Sequence, residues 1–150
     1  MQLAKHAGAF VAATARGAGV SFAGDMGADV VLDAENEELS SLGRTFDVVF
    51  DTIGGEALAA SYGTLMPRGR LVTLHAPPDE SLSARYQVES FFFIVSPDVG
   101  ELDTLAGLAE KGLLRVTLSA SYPLEEARAA FAHASSPKHA PGKTVLVVRD

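Results

Sequence analysis

A short apolar strand that ends in a pair of glycines constrains the fold of this chain most strongly. Residues 46–51 (FDVVFD) are mostly apolar, and the turn Asp51-Thr-Ile-Gly-Gly55 follows at once. Short apolar runs of this kind are typical of strands that are buried on both faces of a parallel sheet. The same succession of strand, small-residue turn and helix recurs along the chain. It predicts parallel β-α units, whose ligands bind beyond the carboxyl ends of the strands.

The complete pattern predicts an α/β fold. Strands are expected at residues 10–14, 30–32, 46–51, 70–74, 91–95, 116–119 and 144–148. Helices are expected between them, at residues 2–7, 21–27, 55–65, 101–111 and 124–134. Because residues 2–7 resemble the end of a helix, we expect that an earlier strand and its glycine turn are missing from the sequence.

Composition and charge narrow the class of ligand. Of the 150 residues, 47% are hydrophobic and 21% are charged, which is ordinary for a globular chain. The formal net charge of −7 disfavours binding to a nucleic-acid backbone. No apolar run approaches the roughly 20 residues that a membrane helix needs, and the absence of cysteine is compatible with a reducing cytoplasm. We therefore expect a cytoplasmic protein that binds a small molecule, with neither nucleic acid nor membrane as a partner.

The end of the first strand is one candidate site. In dinucleotide-binding folds, an acid near this position binds the ribose 2′-hydroxyl of NAD, whereas an arginine accommodates the 2′-phosphate of NADP. The segment Ala12-Ala-Thr-Ala-Arg-Gly17 contains Arg16 and no acid. This favours NADP, although Arg16 alone also fits a solvated surface position.

Two later strand ends carry further candidates. Gly54 and Gly55 allow a ligand to approach the backbone closely, but a plain turn in which Thr52 caps the next helix explains them as well. His75, in Leu74-His-Ala-Pro-Pro78, could donate a hydrogen bond to a carbonyl or a phosphate. A lone histidine is more often a structural hydrogen-bonder, and the sequence assigns it no partner acid.

The aromatic segment from Phe91 to Val95 predicts a strand with apolar side chains on both faces. If this strand lies at the edge of the sheet, its unpaired backbone groups can pair with a second copy of the chain. We therefore predict a homodimer edge at residues 91–95, with a buried core strand as the alternative.

Other chemistries lack their sequence signals. His6, His75, His133 and His139 are dispersed without metal-ligand spacing, so we expect no metal site. Neither G-x-S-x-G nor cysteine is present to indicate a nucleophile, and Gly142-Lys-Thr144 lacks the glycine loop of a phosphate-binding NTPase. The dinucleotide fingerprint G-x-G-x-x-G is absent as well.

In their order and spacing, the motifs resemble the cofactor-binding half of medium-chain NAD(P)-dependent dehydrogenases/reductases, in particular the quinone-oxidoreductase-like branch of the zinc-type alcohol dehydrogenase superfamily. The resemblance covers nearly the whole chain, through QLAKHAGA at 2–9, MGADVVLD at 26–33, residues 46–55, LMPRGRLV at 65–72, residues 91–98, YPLEEA at 122–127 and GKTVLV at 142–147. It implies a Rossmann-like, doubly wound parallel sheet that is truncated at its N-terminus and lacks the first strand, its glycine-rich turn and the N-terminal catalytic domain. Residues 1–113 would form the partial NAD(P)-binding domain. Residues 114–150 would form a strand-helix-strand segment that packs on the catalytic domain in the family.

The resemblance also implies where NADPH lies. Thr14 and its neighbours would be near the adenosine ribose. The family often has a basic residue near position 18, where this chain has Ala18 and carries its arginine at position 16. Residues at the other strand ends would lie along the rest of the cofactor: Thr52, Ile53, Gly54, Gly55, His75, Ala76, Phe93 and Ile94.

Two functions are compatible with these features. The first is an NADPH-dependent oxidoreductase that passes hydride from the nicotinamide to a quinone or enone, to which this chain supplies the cofactor-binding part without a catalytic residue or a metal. The alternative is a truncated, non-catalytic domain that binds a nucleotide or assembles with another chain. The missing central strand motivates the alternative, because unpaired backbone groups cost roughly 1–3 kcal/mol each when they are buried.

Overall fold

Strands and helices alternate along the chain, as predicted. The computed structural model describes residues 1–136 and 139–149. Its strands are β1 (Ala12–Ala15), β2 (Val30–Asp33), β3 (Phe46–Asp51), β4 (Leu65–Thr73), β5 (Glu89–Phe92), β6 (Leu118–Pro123) and β7 (Lys143–Val147). Its helices are α1 (Gln2–His6), α2 (Gly19–Asp25), α3 (Gly55–Ser61), α4 (Glu80–Tyr86), α5 (Val99–Glu110) and α6 (Ala127–Ala134). Short 3-10 turns lie at Leu39–Leu42, Tyr62–Thr64 and Leu124–Glu126.

All strand pairs in the described residues are parallel, which confirms the predicted α/β fold. β1 pairs with β2, β4 lies between β3 and β5, and β6 pairs with β7. The chain divides into two compact units, a first unit of Met1–Asp33 with Val99–Asp150 and a second unit of Ala34–Asp98. The division at residue 113 that the sequence suggests stays a prediction.

The second unit has its core on one face of the β3-β4-β5 sheet. Strand alternation and register place Val49 beside Leu71 on that face. The buried core cluster there combines residues of α3, β4 and the segments around them: Leu58, Tyr62, Leu65, Leu71 and Val88. On the opposite face, Val48 and Phe50 of β3 remain 54% and 59% exposed.

The first unit contains two separate pairs of parallel strands, each with its own helix. α2 packs on β1 and β2, where Ala23 and Leu32 are buried. α6 packs on β6 and β7 and buries Ala130. Across residues 1–136 and 139–149, every helix is too short or too polar to cross a membrane.

Side chains rather than burial hold α1 in place, since none of its residues is buried. The Gln2 amide donates to the carbonyl oxygen of Arg115 at 2.9 Å and accepts from the Arg115 N–H at 2.8 Å. The Lys5 ammonium lies 2.7 Å from the Asp29 carboxylate. Two hydrogen bonds to the Asp29 carboxylate hold its pKa below the usual value. The one from Lys5 has the larger effect, and the one from the Val11 N–H comes second. These polar contacts connect α1 to segments far away in the sequence.

The edge strand of the second unit was predicted too far along the chain. β5 spans Glu89–Phe92 rather than residues 91–95, so Phe93 and Ile94 lie beyond it. The ladder with β4 ends at the pair Thr73↔Phe92, and Thr73 is also the last residue of β4. β5 therefore ends level with the last residue of β4, the strand with which it pairs.

Other strands also differ from their predicted positions. β4 begins at Leu65 rather than at residue 70, because it pairs with Phe46 at the start of β3. β1 begins at Ala12 rather than at residue 10, because Ala12 is the first residue that pairs with β2, opposite Val30. β6 occupies Leu118–Pro123 rather than residues 116–119, because its ladder with β7 begins at Lys143 and ends at Val147.

Helix α4 was not predicted, although its N-terminus carries a clear signal. Asp79 is the N-cap residue, and its Oδ1 accepts from the N–H groups of Ser81 and Leu82 at 2.8 and 3.1 Å. The Ser81 hydroxyl donates to the same atom at 2.6 Å. An aspartate directly after two prolines, with a serine two residues later, is the pattern from which this helix could have been predicted.

The cap gives α4 a pH-dependent contribution to stability. The Ser81 hydroxyl, and then the N–H groups of Leu82 and Ser81, lower the pKa of Asp79 below 3.8. Stabilisation by the ionised cap is therefore complete above pH 3.8 and is lost as the pH falls through the lowered pKa. We expect Asp79→Ala to reduce the free energy of unfolding at neutral pH, and we expect the gap to the parent chain to narrow in acid. Urea unfolding of the parent chain and of Asp79→Ala, at neutral pH and below pH 3.8, measures this difference in the free energy of unfolding. A difference that does not change with pH would contradict the role of Asp79 as an ionised cap.

Candidate cofactor site

The three strands of the second unit end in a single row. The register pairs Asp51 of β3 with Thr73 of β4, and Thr73 with Phe92 of β5. Each of these residues is the last of its strand. The segments that follow them therefore leave the sheet at the same edge, where parallel α/β folds bind ligands. The structure brings together at this edge the predicted residues of the second unit: Thr52, Ile53, Gly54, Gly55, His75, Ala76, Phe93 and Ile94.

The carboxyl group of Asp51 organises this edge. Asp51 is only 6% exposed. Its Oδ1 accepts from the N–H groups of Ile53 and Gly54 at 3.3 and 3.2 Å. Its Oδ2 accepts from the Gly54 N–H at 3.1 Å and from the Thr73 hydroxyl at 2.9 Å. One buried side chain thus closes the turn after β3 and connects it to the end of β4.

This network changes the role that the sequence suggested for Thr52. Thr52 is exposed, and α3 begins after Gly54 without a side-chain cap. Asp51 provides the side-chain oxygen that binds the turn, so the reading of Thr52 as a helix cap was wrong. The Thr52 side chain is exposed beside the row of strand ends.

Gly54 and His75 are in direct contact across the two strand ends. Gly54 is buried and has a φ of +77°. A Cβ atom at this position would lie 2.1 Å from Cδ2 of His75 and 2.4 Å from its Cγ. The imidazole therefore occupies the space that a side chain at position 54 would fill. The backbone of His75 is also fixed, because its N–H donates to the Thr73 hydroxyl at 3.2 Å.

The outer rim of the edge is open. Gly55 begins α3 at a φ of +57°, and a Cβ atom there would meet nothing within 4 Å. Ile53 is 68% exposed, and Phe93 and Ile94 are 46% and 82% exposed. Bare backbone at Gly55 beside exposed apolar side chains leaves room for a flat, partly apolar ligand.

Thr14 and Arg16 belong to the first unit. Thr14 is exposed on β1 and pairs with Leu32 of β2. Arg16 follows the last residue of β1, and its carbonyl accepts from the Gly19 N–H at 2.9 Å in the turn that leads to α2. The Arg16 side chain is exposed and makes no hydrogen bond or ion pair with the residues that the structure describes. An exposed guanidinium is compatible with a contact to a 2′-phosphate and with a solvated surface position, so the role of Arg16 stays a prediction.

The residues at these strand ends fit a nicotinamide nucleotide. Gly55 presents a backbone without a side chain, Thr52 an exposed hydroxyl, and His75 an imidazole held against Gly54. Together they offer polar groups and open backbone of the kind that a ribose and a carboxamide ring need. Sequence reasoning missed the buried pair of Asp51 and Thr73, whose signal is an acid before two glycines and a threonine at the end of the next strand.

A parallel α/β fold with its open polar groups at the carboxyl ends of the strands defines a Rossmann-like nucleotide-binding domain. A family model described as zinc-binding dehydrogenase matches residues 26–146. The chain belongs to the zinc-binding dehydrogenase family and represents the cofactor-binding half of the medium-chain dehydrogenase/reductase superfamily.

Named relatives support the same placement. The "Probable zinc-binding oxidoreductase, mitochondrial" of Arthroderma benhamiae is 32% identical over 127 residues, which span 77% of this chain and 38% of that protein. The "Chloroplast envelope quinone oxidoreductase homolog" of Arabidopsis thaliana is 26% identical, in an alignment that covers 97% of this chain and 47% of that protein. The solved quinone oxidoreductase from Coxiella burnetii is 26% identical with a TM-score of 0.83, and covers 99% of this chain and 48% of that one. The chain spans about half the length of these relatives or less.

The family's description refers to zinc. Within residues 1–136 and 139–149, His, Cys, Asp and Glu side chains form no group of three or more that could hold a metal ion. The described residues do not fit a zinc site with three protein ligands, which is the minimum that catalytic zinc has.

Proposed function

We propose that this chain is the cofactor-binding part of an NADPH-dependent oxidoreductase that reduces quinones or enones. The observation that carries the proposal is the row of strand ends Asp51, Thr73 and Phe92, because it gathers the turn, the imidazole and the apolar rim at one edge. When bound, the nicotinamide supplies the hydride that reduces an electron-poor alkene or quinone. The oxidoreductase names of the relatives support this class of reaction.

The residues of the second unit bind and orient in this proposal. The Thr52 hydroxyl and the exposed Ile53 lie along the cofactor's backbone and nicotinamide ribose, and Gly54 closes the turn that carries them. His75 and Ala76 flank the nicotinamide together with the backbone of Phe93 and Ile94. The fixed His75 backbone keeps the imidazole oriented before the ligand arrives. Such preorganisation lowers the entropy that binding costs.

Arg16 provides the proposed preference for NADPH over NADH. Its guanidinium is exposed and is not engaged with the described residues, so it is available to a 2′-phosphate. We expect Arg16→Ala to weaken NADPH binding by about 10- to 100-fold, the loss typical of one charge-assisted hydrogen bond. Binding of NADH, which lacks that phosphate, should be unchanged.

Calorimetric titration of the purified chain with NADPH and NADH tests both statements. Arg128→Ala is the matched control, since Arg128 is an exposed arginine on α6 of the same unit. An equal loss of NADPH affinity in both variants would contradict the role of Arg16. Loss of NADPH absorbance upon addition of a quinone then tests turnover.

A second candidate function is assembly without catalysis. The observation that favours it lies in the second unit, where β3 pairs only with β4 among the described strands, and its Val48 and Phe50 are exposed. A strand with one unpaired edge and an exposed apolar face is suited to pairing with another chain. Absence of heat with either nucleotide, together with a stable complex in solution, would favour this function over the first.

We also propose a homodimer through the outer edge of β5 and the residues that follow it. In the described part of the chain β5 pairs only with β4, and Phe93 and Ile94 continue its exposed apolar surface. Ile94→Lys places a charge on this edge and is expected to convert a dimer into a monomer in light scattering. Val148→Lys, which replaces an exposed valine of the first unit, should leave the dimer intact. A parent chain that is monomeric at micromolar concentration would refute the proposal.

A further inference from the structure

Two histidines that are apart in the sequence lie side by side in the first unit. His133 is on α6, and His139 precedes β7. Their ring centroids are 5.6 Å apart, with an angle of 46° between the ring planes. Both side chains are half-buried. Their spacing of six positions matches no metal-ligand motif, so sequence reasoning did not pair them.

In each ring, the Nδ1 atom already has a partner. His139 Nδ1 is 2.7 Å from the carbonyl oxygen of Ala140. A carbonyl only accepts, so this nitrogen carries the proton and the other nitrogen of the neutral ring keeps its lone pair. His133 Nδ1 is 3.0 Å from the Thr144 hydroxyl, which itself lies 3.3 Å from the Ser119 hydroxyl. Thr144 can therefore accept from His133 and donate to Ser119.

This arrangement leaves both Nε2 atoms available. Neither of them has a hydrogen bond to the residues that the structure describes. Imidazoles whose Nδ1–H donates to a carbonyl or hydroxyl are oriented and made more basic, which is how proteins prepare histidine as a metal ligand. Two imidazoles that bind one ion through a nitrogen each, at about 2.1 Å, have ring centroids about 5–6 Å apart. The observed separation lies in this range.

We propose that His133 and His139 form a two-imidazole chelate for a divalent transition-metal ion. Imidazole nitrogen suits Cu²⁺, Ni²⁺ and Zn²⁺, with Cu²⁺ bound most tightly of the three. Water completes the coordination, because no third His, Cys, Asp or Glu joins the pair among the described residues. The ion would connect α6 to the segment before β7. Thr144 is a positioning residue, since it acts on the ion only through the His133 ring.

Titration of the tag-free chain with Ni²⁺ tests the proposal. We expect one ion per chain, and a loss of affinity of about tenfold or more in His133→Gln and in His139→Gln. Thr144→Val should weaken binding by about 10- to 100-fold, as is usual for a residue that orients a metal ligand. His6→Gln is the matched control, because His6 is an exposed histidine on α1, and it should bind as the parent chain does.

Spectroscopy provides the readout that a purely structural role would not change. The Cu²⁺ complex of the parent chain should show electron paramagnetic resonance coupling to two nitrogen nuclei, and each single variant should show coupling to one. Circular dichroism of the metal-free variants establishes that they are folded. Equal Ni²⁺ affinity in the parent chain and both histidine variants, or a Cu²⁺ spectrum unchanged by either, would overturn the proposal.

Discussion

Gly54→Ala is expected to destabilise the chain by about 2–6 kcal/mol and to weaken nucleotide binding at the same edge. Two costs add together. Gly54 has a φ of +77° and a ψ of −164°, a backbone conformation that costs a non-glycine residue roughly 1–3 kcal/mol. In addition, the new methyl group would overlap the His75 ring, whose Cδ2 is 2.1 Å from the Cβ position. Overpacking of this kind costs typically 1–3 kcal/mol.

Gly55→Ala separates these two costs. Gly55 also has a positive φ, +57°, but a Cβ atom there meets nothing within 4 Å. This variant should lose only the backbone contribution of about 1–2 kcal/mol. The double variant Gly54→Ala/His75→Gly removes the overlap and should recover much of the difference, as a coupling energy of about 0.5–3 kcal/mol in a double-mutant cycle. Chemical unfolding measures these variants, the parent chain and the single variant His75→Gly that completes the cycle. Equal losses in Gly54→Ala and Gly55→Ala would contradict the contact with His75.

Asp51→Ala is the second substitution with a large expected effect, again about 2–5 kcal/mol. It removes the acceptor of the Thr73 hydroxyl and of the Gly54 N–H, both of which are buried. A buried donor without a partner costs about 1–3 kcal/mol. Because the same carboxyl closes the turn after β3, nucleotide binding should fall as well.

Two conservative variants make this prediction specific. Asp51→Asn keeps one acceptor oxygen and should lose less stability than Asp51→Ala. Thr73→Val preserves the shape of the core but removes the Thr73 hydroxyl. This hydroxyl donates to Asp51 and accepts from the His75 N–H. We expect the order of stability to be parent, Asp51→Asn, then Asp51→Ala in urea unfolding. A stability of Asp51→Ala close to that of the parent chain would refute the role of the carboxyl group.

The strand ends of the second unit could be predicted from sequence because local patterns determine them. Residues 46–51 are mostly apolar and end in an acid, and the glycines that follow cannot continue a strand easily. The prediction of β3 agrees with the structure at both ends. β5 was displaced because its aromatic side chains were used as the signal, whereas its limits follow from the length of β4. The length of a neighbouring strand cannot be predicted from the sequence of the strand that pairs with it.

The contacts within the candidate site required coordinates. Asp51 and Thr73 are 22 positions apart, and only the β3-β4 register brings their side chains to 2.9 Å. The same holds for Gly54 and His75, whose proximity explains why position 54 lacks a side chain. The pair of His133 and His139 is a further case, since its spacing matches no metal motif and its geometry depends on how α6 meets β7.

The anchoring of α1 determines how this segment moves. Five residues are too few to sustain a helix in water, where isolated helices shorter than about 12–15 residues are marginal. Its order therefore depends on two side-chain tethers with different sensitivity to salt. The Lys5–Asp29 attachment weakens as ions screen it, while the amide tether of Gln2 does not. High ionic strength should release one end of the segment first, so that its amide protons exchange long before those of the strands.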